Sequence, residues 1–288
     1  MLTVIYNFIT QSLPFLPLAL AIYISFNLMN ATDLTLDGSF VAGAGVFAKL
    51  ISMGISPILS TFAAMCAGVC TGALVACMQR HQRIDALLAG ILATFILASG
   101  NLIMMGRPNI NLLSQNTLVS SAFATSDTCG YLLVGIIVAI LCGTALLLLK
   151  SSFGLRLRAF GDNPQLFTRY GFATERYRCF GFSLTNCLAA CAGCLTAQTV
   201  GYADINMGVG MTLTGLGAII AGQQLTMRFL KRNHLRIGFE FLACLMGVLL
   251  YFALMNTLLR LGVDPLYLKI VLGLILIFFL RNAHVKAK

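Results

Sequence analysis

Long stretches without a single charge recur along this chain, and they limit it to one solvent. The first 32 residues carry no Asp, Glu, Lys or Arg, and neither do residues 128–149 or 179–203. An α-helix needs about 20 apolar residues to cross the hydrocarbon core of a bilayer. Within that core only helices and closed barrels satisfy their own backbone. Reading the charge-free runs gives about nine crossings: 4–29, 38–53, 57–78, 86–105, 128–149, 179–200, 209–225, 239–259 and 265–280. The second, seventh and ninth are shorter than a full span, as tilted helices or helices broken inside the membrane would be. Only 10% of residues are charged and the mean hydropathy is +0.90. A soluble domain carries about 25% charged residues, so this chain cannot cover its own surface in water. The fold class expected is all-α and polytopic, one transmembrane domain over residues 1–288. No cleavable signal peptide is expected, because a basic leader is missing and residues 1–29 are long enough to span.

The basic residues set the orientation. With the N-terminus outside, fifteen of the nineteen Lys and Arg residues fall in cytoplasmic segments. These are Arg80 and Arg83, six residues in 150–178, Arg228, Lys231, Arg232 and Arg236, and the tail cations Arg281, Lys286 and Lys288. Lys49, Arg107, Arg260 and Lys269 are left outside. The positive-inside rule therefore predicts N-out and C-in. The net charge of +10 is a topology signal, dispersed into short loops, and does not suggest nucleic acid. Residues 108–126 are uncharged but rich in Asn, Ser and Gln, and read as an external loop with a short surface helix.

Reactive constellations are missing. The three histidines, His81, His234 and His284, fall in predicted inner loops or the tail. Nine of the ten cysteines lie in or beside apolar runs and read as small buried hydrophobes. Cys187, Cys191 and Cys194 share a helical face, but no His or carboxylate lies nearby to complete a metal site. Glycine-rich strings such as 215–222 lack the Gly-Lys-Ser/Thr ending of a phosphate-binding loop. No enzyme activity, metal or bound cofactor is expected of this chain, and any nucleotide chemistry belongs to another subunit.

Two segments look alike. The string DLTLDGSFVAGAGVFAKLI begins at Asp33, and ADINMGVGMTLTGLGAIIAG begins at Ala203. Each passes from an acidic residue through a Gly-rich stretch into a short apolar helix, and their aspartates, Asp33 and Asp204, stand 171 residues apart. Repeats with interrupted helices are typical of transporters, and the breaks line the substrate path. An inverted pseudo-repeat of halves 1–149 and 179–288 is expected. Asp33, Asp37, Gly38, Ser39, Asp204, Gly208 and Gly210 are the candidate path residues. Asp33 and Asp37, at i and i+4, either share a helix face and raise each other's pKa, or act as an N-cap and a loop-solvated charge. Asp85 and Glu240 read as residues offsetting helix N-termini, with Arg236 an ion-pair partner for Glu240.

The longest polar segment is the island 150–178, with Lys150, Arg156, Arg158, Arg169, Arg176 and Arg178. Gly154 is expected to end the preceding helix and residues 155–160 to form a short helix, basic outside and apolar beneath. Gly161-Asp162-Asn163-Pro164 then makes a turn, a second helix covers 165–170, Gly171 ends it, and Thr174 and Glu175 start the next.

The string GLRLRAFGDNPQLFTRYG resembles the coupling loop of permease subunits in bacterial ABC importers of the branched-chain amino acid and ribose class. Gly154, Arg158, Ala159, Gly161, Asn163, Pro164 and Gly171 match that loop one by one, and Arg156 adds an exposed cation. Asp33, Leu34, Gly38 and Ser39 match the family's Asp-Leu-Ser-x-Gly-Ser segment, whereas Asp37 departs from it. Within the class, Thr-Leu-Asp-Gly resembles a branch linked to aromatic amino acids. The resemblance implies an inner-membrane subunit paired with a second permease copy, as a homodimer. A cytoplasmic ABC ATPase uses the ATP and moves the loop, and a periplasmic or lipid-anchored binding protein delivers a small solute, an amino acid. The alternative from another class is an ion-coupled secondary transporter, against which the scarcity of membrane carboxylates counts.

Overall fold

The computed structural model describes residues 2–80, 84, 86–229, 237–262, 267, 270, 273, 274 and 277. Asp85, the histidines, the cations Arg83, Lys231, Arg232, Arg236, Lys269, Arg281, Lys286 and Lys288, and most of the ninth expected crossing lie outside them. The chain divides into two compact units, residues 13–212 and residues 1–12 with 213–288.

The other eight expected crossings are all helices. α1 (Leu2–Ile22) contains Pro14 and Pro17 and runs on into a π-helical turn, Tyr23–Leu28. α2 (Leu36–Ser52), α3 (Pro57–Met78) and α4 (Ala86–Met105) follow. After strand β1 (Asn109–Asn111) come α5 (Leu118–Thr125) and α6 (Asp127–Lys150). The island holds α7 (Ser152–Asp162) and α8 (Pro164–Arg169), and α9 (Thr174–Val200) leaves it. Strand β2 (Tyr202–Asp204), α10 (Met211–Phe229) and α11 (Ile237–Arg260) complete the order. Among the described residues, six helices are long and apolar enough to cross a membrane: α1 with its π turn, α3, α4, α6, α9 and α11.

In the unit 13–212, α2 is the centre. Twelve of its 17 residues are buried, so it faces protein rather than lipid, and α3, α4 and α9 pack around it. Glycine sets the spacing there. A Cβ on Gly43 would stand 2.0 Å from the Ala190 carbonyl oxygen, and one on Gly193 would stand 1.9 Å from that of Phe40. Gly68 and Gly72, one turn apart on α3, press in the same way onto Asn186 and Phe182 of α9. Without a hydrophobic force between helices in lipid, such backbone-to-backbone approach supplies the van der Waals contact that holds them. The outer faces of α3, α4 and α6 carry exposed apolar side chains such as Phe62, Phe95 and Ile136, as a lipid-facing surface requires.

The unit has two distinct ends. At one, the loop after α4 forms a two-stranded antiparallel sheet, β1 on β2, with Asn109 opposite Asp204 and Asn111 opposite Tyr202. The sequence gives no sign of these strands, though α5, the short helix expected in this loop, is present and capped reciprocally by Thr117 and Ser120. A cluster of Ala44, Phe47, Ala48, Ile51, Met105, Ile110 and Ala197 packs here. Lys49 donates to the Met105 carbonyl at 3.4 Å, close to the end of α4. The other end gathers the island, the end of the π turn and the end of α3 (Gln79). In the second unit, Gly222 of α10 and Gly247 of α11 meet at backbone contact.

Four cysteines, Cys66, Cys70, Cys77 and Cys129, are exposed, contrary to the expectation of burial for the first three; Cys142, Cys191, Cys194 and Cys244 are buried. The first three sit on the outer face of α3, where lipid rather than protein covers an apolar thiol.

Candidate functional site

The island is a shaped element, but its glycines do a different job from the one expected. Gly154 does not end the preceding helix. Ser151 does so, in extended conformation, its hydroxyl accepting the Phe153 N–H at 3.2 Å. Gly154 lies inside α7, where a Cβ would stand 2.1 Å from the Leu149 carbonyl oxygen. Its missing side chain lets α7 fold back sharply on α6. Nor does Gly161 make a turn: α7 runs through it to Asp162. The break falls at Asn163, held at φ −155° and ψ 91°, because the ring of Pro164 disfavours helical geometry in the residue before it. Pro164 then opens α8, where its missing N–H costs nothing. Gly171, at φ +79°, ends that turn as expected.

Gly161 is the seat of the island. A Cβ there would stand 1.9 Å from the Leu28 carbonyl oxygen and 2.9 Å from the Met29 Cα. The Asn30 side chain, on a residue in the left-handed region at φ +48°, donates to the Gly161 carbonyl at 3.1 Å. Leu157 and Phe160 are buried beside it. Arg178 pins the other side, donating to the Gln79 carbonyl at 2.8 Å and pairing with Glu175 at 3.2 Å. The outward face is not purely basic. Leu155 is 68% exposed and Tyr170 74%, between the exposed Arg156, Ala159 and Arg169, while Arg158 is only half-buried. An apolar and cationic surface on a seated helix pair is suited to pressing against another protein.

The candidate path residues separate into two groups. Asp33 is fully buried. It accepts the Thr35 N–H at 3.0 Å, the Thr35 hydroxyl, and the Asn186 amide at 2.9 Å. Asn186 also accepts the Ser39 hydroxyl at 2.6 Å, and Ser39 lies 2.7 Å from the Thr71 hydroxyl. Asp33 and Ser39 thus tie the loop before α2 to α2, α3 and α9 in a closed polar network. Buried polar groups in such a network rigidify when all are satisfied. Asp33 is therefore not loop-solvated. Gly38 belongs with this group: it packs on Leu97 of α4, and its carbonyl accepts the Asn101 amide at 2.9 Å. Asn186 and Asn101 escaped the sequence reading. Their signal is an isolated amide inside an apolar run, a group that demands a partner in lipid.

Asp37 turns elsewhere, so the two aspartates do not form a shared-face pair. Its carboxylate accepts the N–H of Gly210 at 2.9 Å and both the N–H and hydroxyl of Thr212 at 2.6 Å. It caps the start of α10 from across the fold, a charge-assisted contact with the positive end of a helix dipole. Gly208 packs directly on the Asp37 backbone, and Gly210 adopts φ +78° beside it. The two look-alike segments thus meet at Asp37. Asp204 stands apart on β2, accepting from Asn109 at 3.1 Å and from the Asn206 N–H at 2.8 Å. Glu240 lies in the first turn of α11, and its expected partner Arg236 is outside the described residues. Among the described residues no group of His, Cys, Asp or Glu is arranged to hold a metal ion.

The chain is similar in sequence to known proteins. The chain is 43% identical over 272 residues to an uncharacterised protein of Rickettsia prowazekii, covering 94% of this chain and 95% of that one. It is 30% identical over 281 residues to a tyrosine transport system permease protein of Clostridioides difficile, covering 97% and 91%. A shorter match, 30% over 178 residues, is to an autoinducer 2 import system permease protein of Yersinia enterocolitica, covering 60% of this chain and 47% of that one. No solved structure matches. The family described as branched-chain amino acid transport system / permease component matches residues 4–280, nearly the whole chain, and this chain belongs to it as the permease component of an ABC-type system for small solutes.

Proposed function

We propose that the chain is the membrane path of an ATP-driven importer that moves an amino acid from periplasm to cytoplasm. The observation that carries this reading is the seating of the island: α7 is docked by Gly161 onto the end of the π turn, and Arg178, at the start of α9, ties the island's far side to the end of α3. A docked helix pair transmits force from a separate ATPase, which a loose basic loop cannot. The path residues that remain exposed to such motion are those at the Asp37 junction, with Gly208 and Gly210. The full arrangement is nine spans, N-out and C-in, as an inverted pseudo-repeat in the bacterial inner membrane. A second copy of the chain completes the pore, and a solute-binding protein feeds it. The name of the Clostridioides difficile relative supports an aromatic amino acid as cargo.

The test is uptake in proteoliposomes. The chain, its ATPase and its binding protein should accumulate labelled tyrosine only with ATP on the ATPase side. Uptake by the chain alone, driven by a proton gradient, would overturn the reading. In a background with Cys66, Cys70, Cys77 and Cys129 replaced by serine, Ala159→Cys, on the exposed island face, should react with an impermeant maleimide only from the cytoplasmic side.

A further inference from the structure

The island carries a cavity on the side away from its Gly161 seat. It has a volume of about 400 Å³ and lies between α7 and the start of α9. Its walls are Phe153, Phe172, Tyr177 and Phe180, with Arg176 at the rim. Phe153 stacks on Tyr177 at 5.7 Å and packs on Phe180 at 4.5 Å. Arg156 reaches over the Phe172 ring at 5.5 Å and donates to the Tyr177 hydroxyl at 3.4 Å. Neither Arg156 nor Arg176 has an ion-pair partner among the described residues, whereas Arg178 is paired with Glu175. The cavity thus has one guanidinium in its lining, Arg176, and a second, Arg156, against its walls at Phe172 and Tyr177.

The position in the chain says which anion they would meet. Phe153 follows the charge-free run 128–149 by four residues, and Phe180 is the second residue of the run 179–203. The walls therefore begin where the hydrocarbon ends, and the guanidiniums stand at headgroup level. Six cations against two acids in the island, Asp162 and Glu175, add a local excess of four positive charges. We propose that this cavity binds the phosphate of an anionic phospholipid, with its glycerol and first methylenes against Phe153 and Phe180. A basic pocket flanked by membrane helices is a known design for such headgroups, and aromatic rings favour the same depth. The leaflet assigned to the lipid rests on the orientation proposed above; the binding itself does not.

The chain contains no tryptophan, so Phe180→Trp supplies a single reporter in the wall. The full-length variant is reconstituted in symmetric phosphatidylcholine vesicles containing a minor fraction of brominated phosphatidylglycerol, or the same fraction of brominated phosphatidylcholine. One Arg near an anionic surface corresponds to about a fivefold enrichment of anionic lipid. Quenching per mole should be at least about fivefold stronger for the brominated phosphatidylglycerol. Adding Arg156→Gln and Arg176→Gln should abolish that preference, while Arg169→Gln, an exposed island cation outside the cavity, should leave it. Equal quenching by the two bromolipids overturns the proposal. So does a preference that survives the double substitution, which marks general surface attraction. Loss of the preference when the ATPase subunit is added assigns the cavity to the protein interface and overturns it too. Symmetric vesicles present the lipid on both faces, so a wrong orientation would fail the maleimide test and leave this one intact.

Discussion

Replacing Gly161 by alanine adds one methyl group at the place where the island meets the membrane helices. That methyl would stand 1.9 Å from the Leu28 carbonyl oxygen, where ordinary contact begins near 3.4 Å. Both partners are backbone, so neither can rotate away, and α7 must retreat by about 1.5 Å. The Asn30 to Gly161 hydrogen bond, now 3.1 Å, would open beyond bonding range. Overpacking costs about 1–3 kcal/mol and the lost hydrogen bond about 1 kcal/mol. Together they weaken the seat by about 2–4 kcal/mol, a shift of about 30-fold to several hundred-fold in the docked population. Membrane insertion should be untouched, because no span changes composition. In proteoliposomes with ATPase and binding protein, solute moved per ATP hydrolysed should fall at least about tenfold. Tryptic cleavage at Arg156, Arg158 and Arg169 should quicken as the island loosens. Pro164→Ala is the contrast. It relaxes only the start of α8, with an effect of about 1 kcal/mol or less, and should leave the coupling ratio within about twofold. If Gly161→Ala couples as well as wild type with an unchanged cleavage pattern, the seat does not transmit force and the reasoning is wrong.

Three further substitutions probe other joints. Asp37→Ala strips the cap from α10, removing charge-assisted bonds worth about 1.5–3 kcal/mol each at most; uptake should drop severalfold while pull-down of the ATPase is unchanged. Asn186→Leu takes one partner each from the buried Asp33 and Ser39, at a cost of about 1–3 kcal/mol, and should lower the melting temperature in detergent by several degrees; an unchanged melting temperature would dissolve the network's structural role. Arg178→Gln frees the Gln79 carbonyl and, being partly exposed, should cost only about 1–2 kcal/mol, read as faster island proteolysis at nearly normal melting temperature.

The spans were legible because charge and proline mark their limits. α3 begins at Pro57 and α4 ends before Arg107, and both match the charge-free runs residue for residue. The strands were not legible. Asn-Ile-Asn and Tyr-Ala-Asp are too short to show alternation, and their pairing joins segments 95 residues apart. Two of the island glycines, Gly154 and Gly161, serve otherwise than their place in the sequence suggests. Glycine serves both to permit left-handed backbone and to permit close approach, and a single sequence does not say which. Gly171 is the first kind, Gly154 and Gly161 the second. The pairing of Asp37 with residues 210–212 was hidden for the same reason as the strands: it lies between segments some 170 residues apart.

These contacts form a continuous physical line. The island presses on Leu28 at the end of the π turn, and the next residues lead directly to Asp33. Asp33 and Ser39 lock the head of α2 onto α9 through Asn186. One turn along, Asp37 holds the start of α10. A movement of α7 therefore has a rigid route to the junction of the two look-alike segments, since every link is backbone contact or satisfied polar bonding rather than mobile side chain. Spatial continuity is not yet coupling. A double-mutant cycle decides between them. If the line carries the force, Gly161→Ala and Asp37→Ala interrupt one sequence of events, and the double variant should lose little more uptake per ATP than the worse single one. If the two sites act separately, their losses should multiply, as independent sites do. Multiplied losses would break the line at the polar network, where Asn186 is the link to test next.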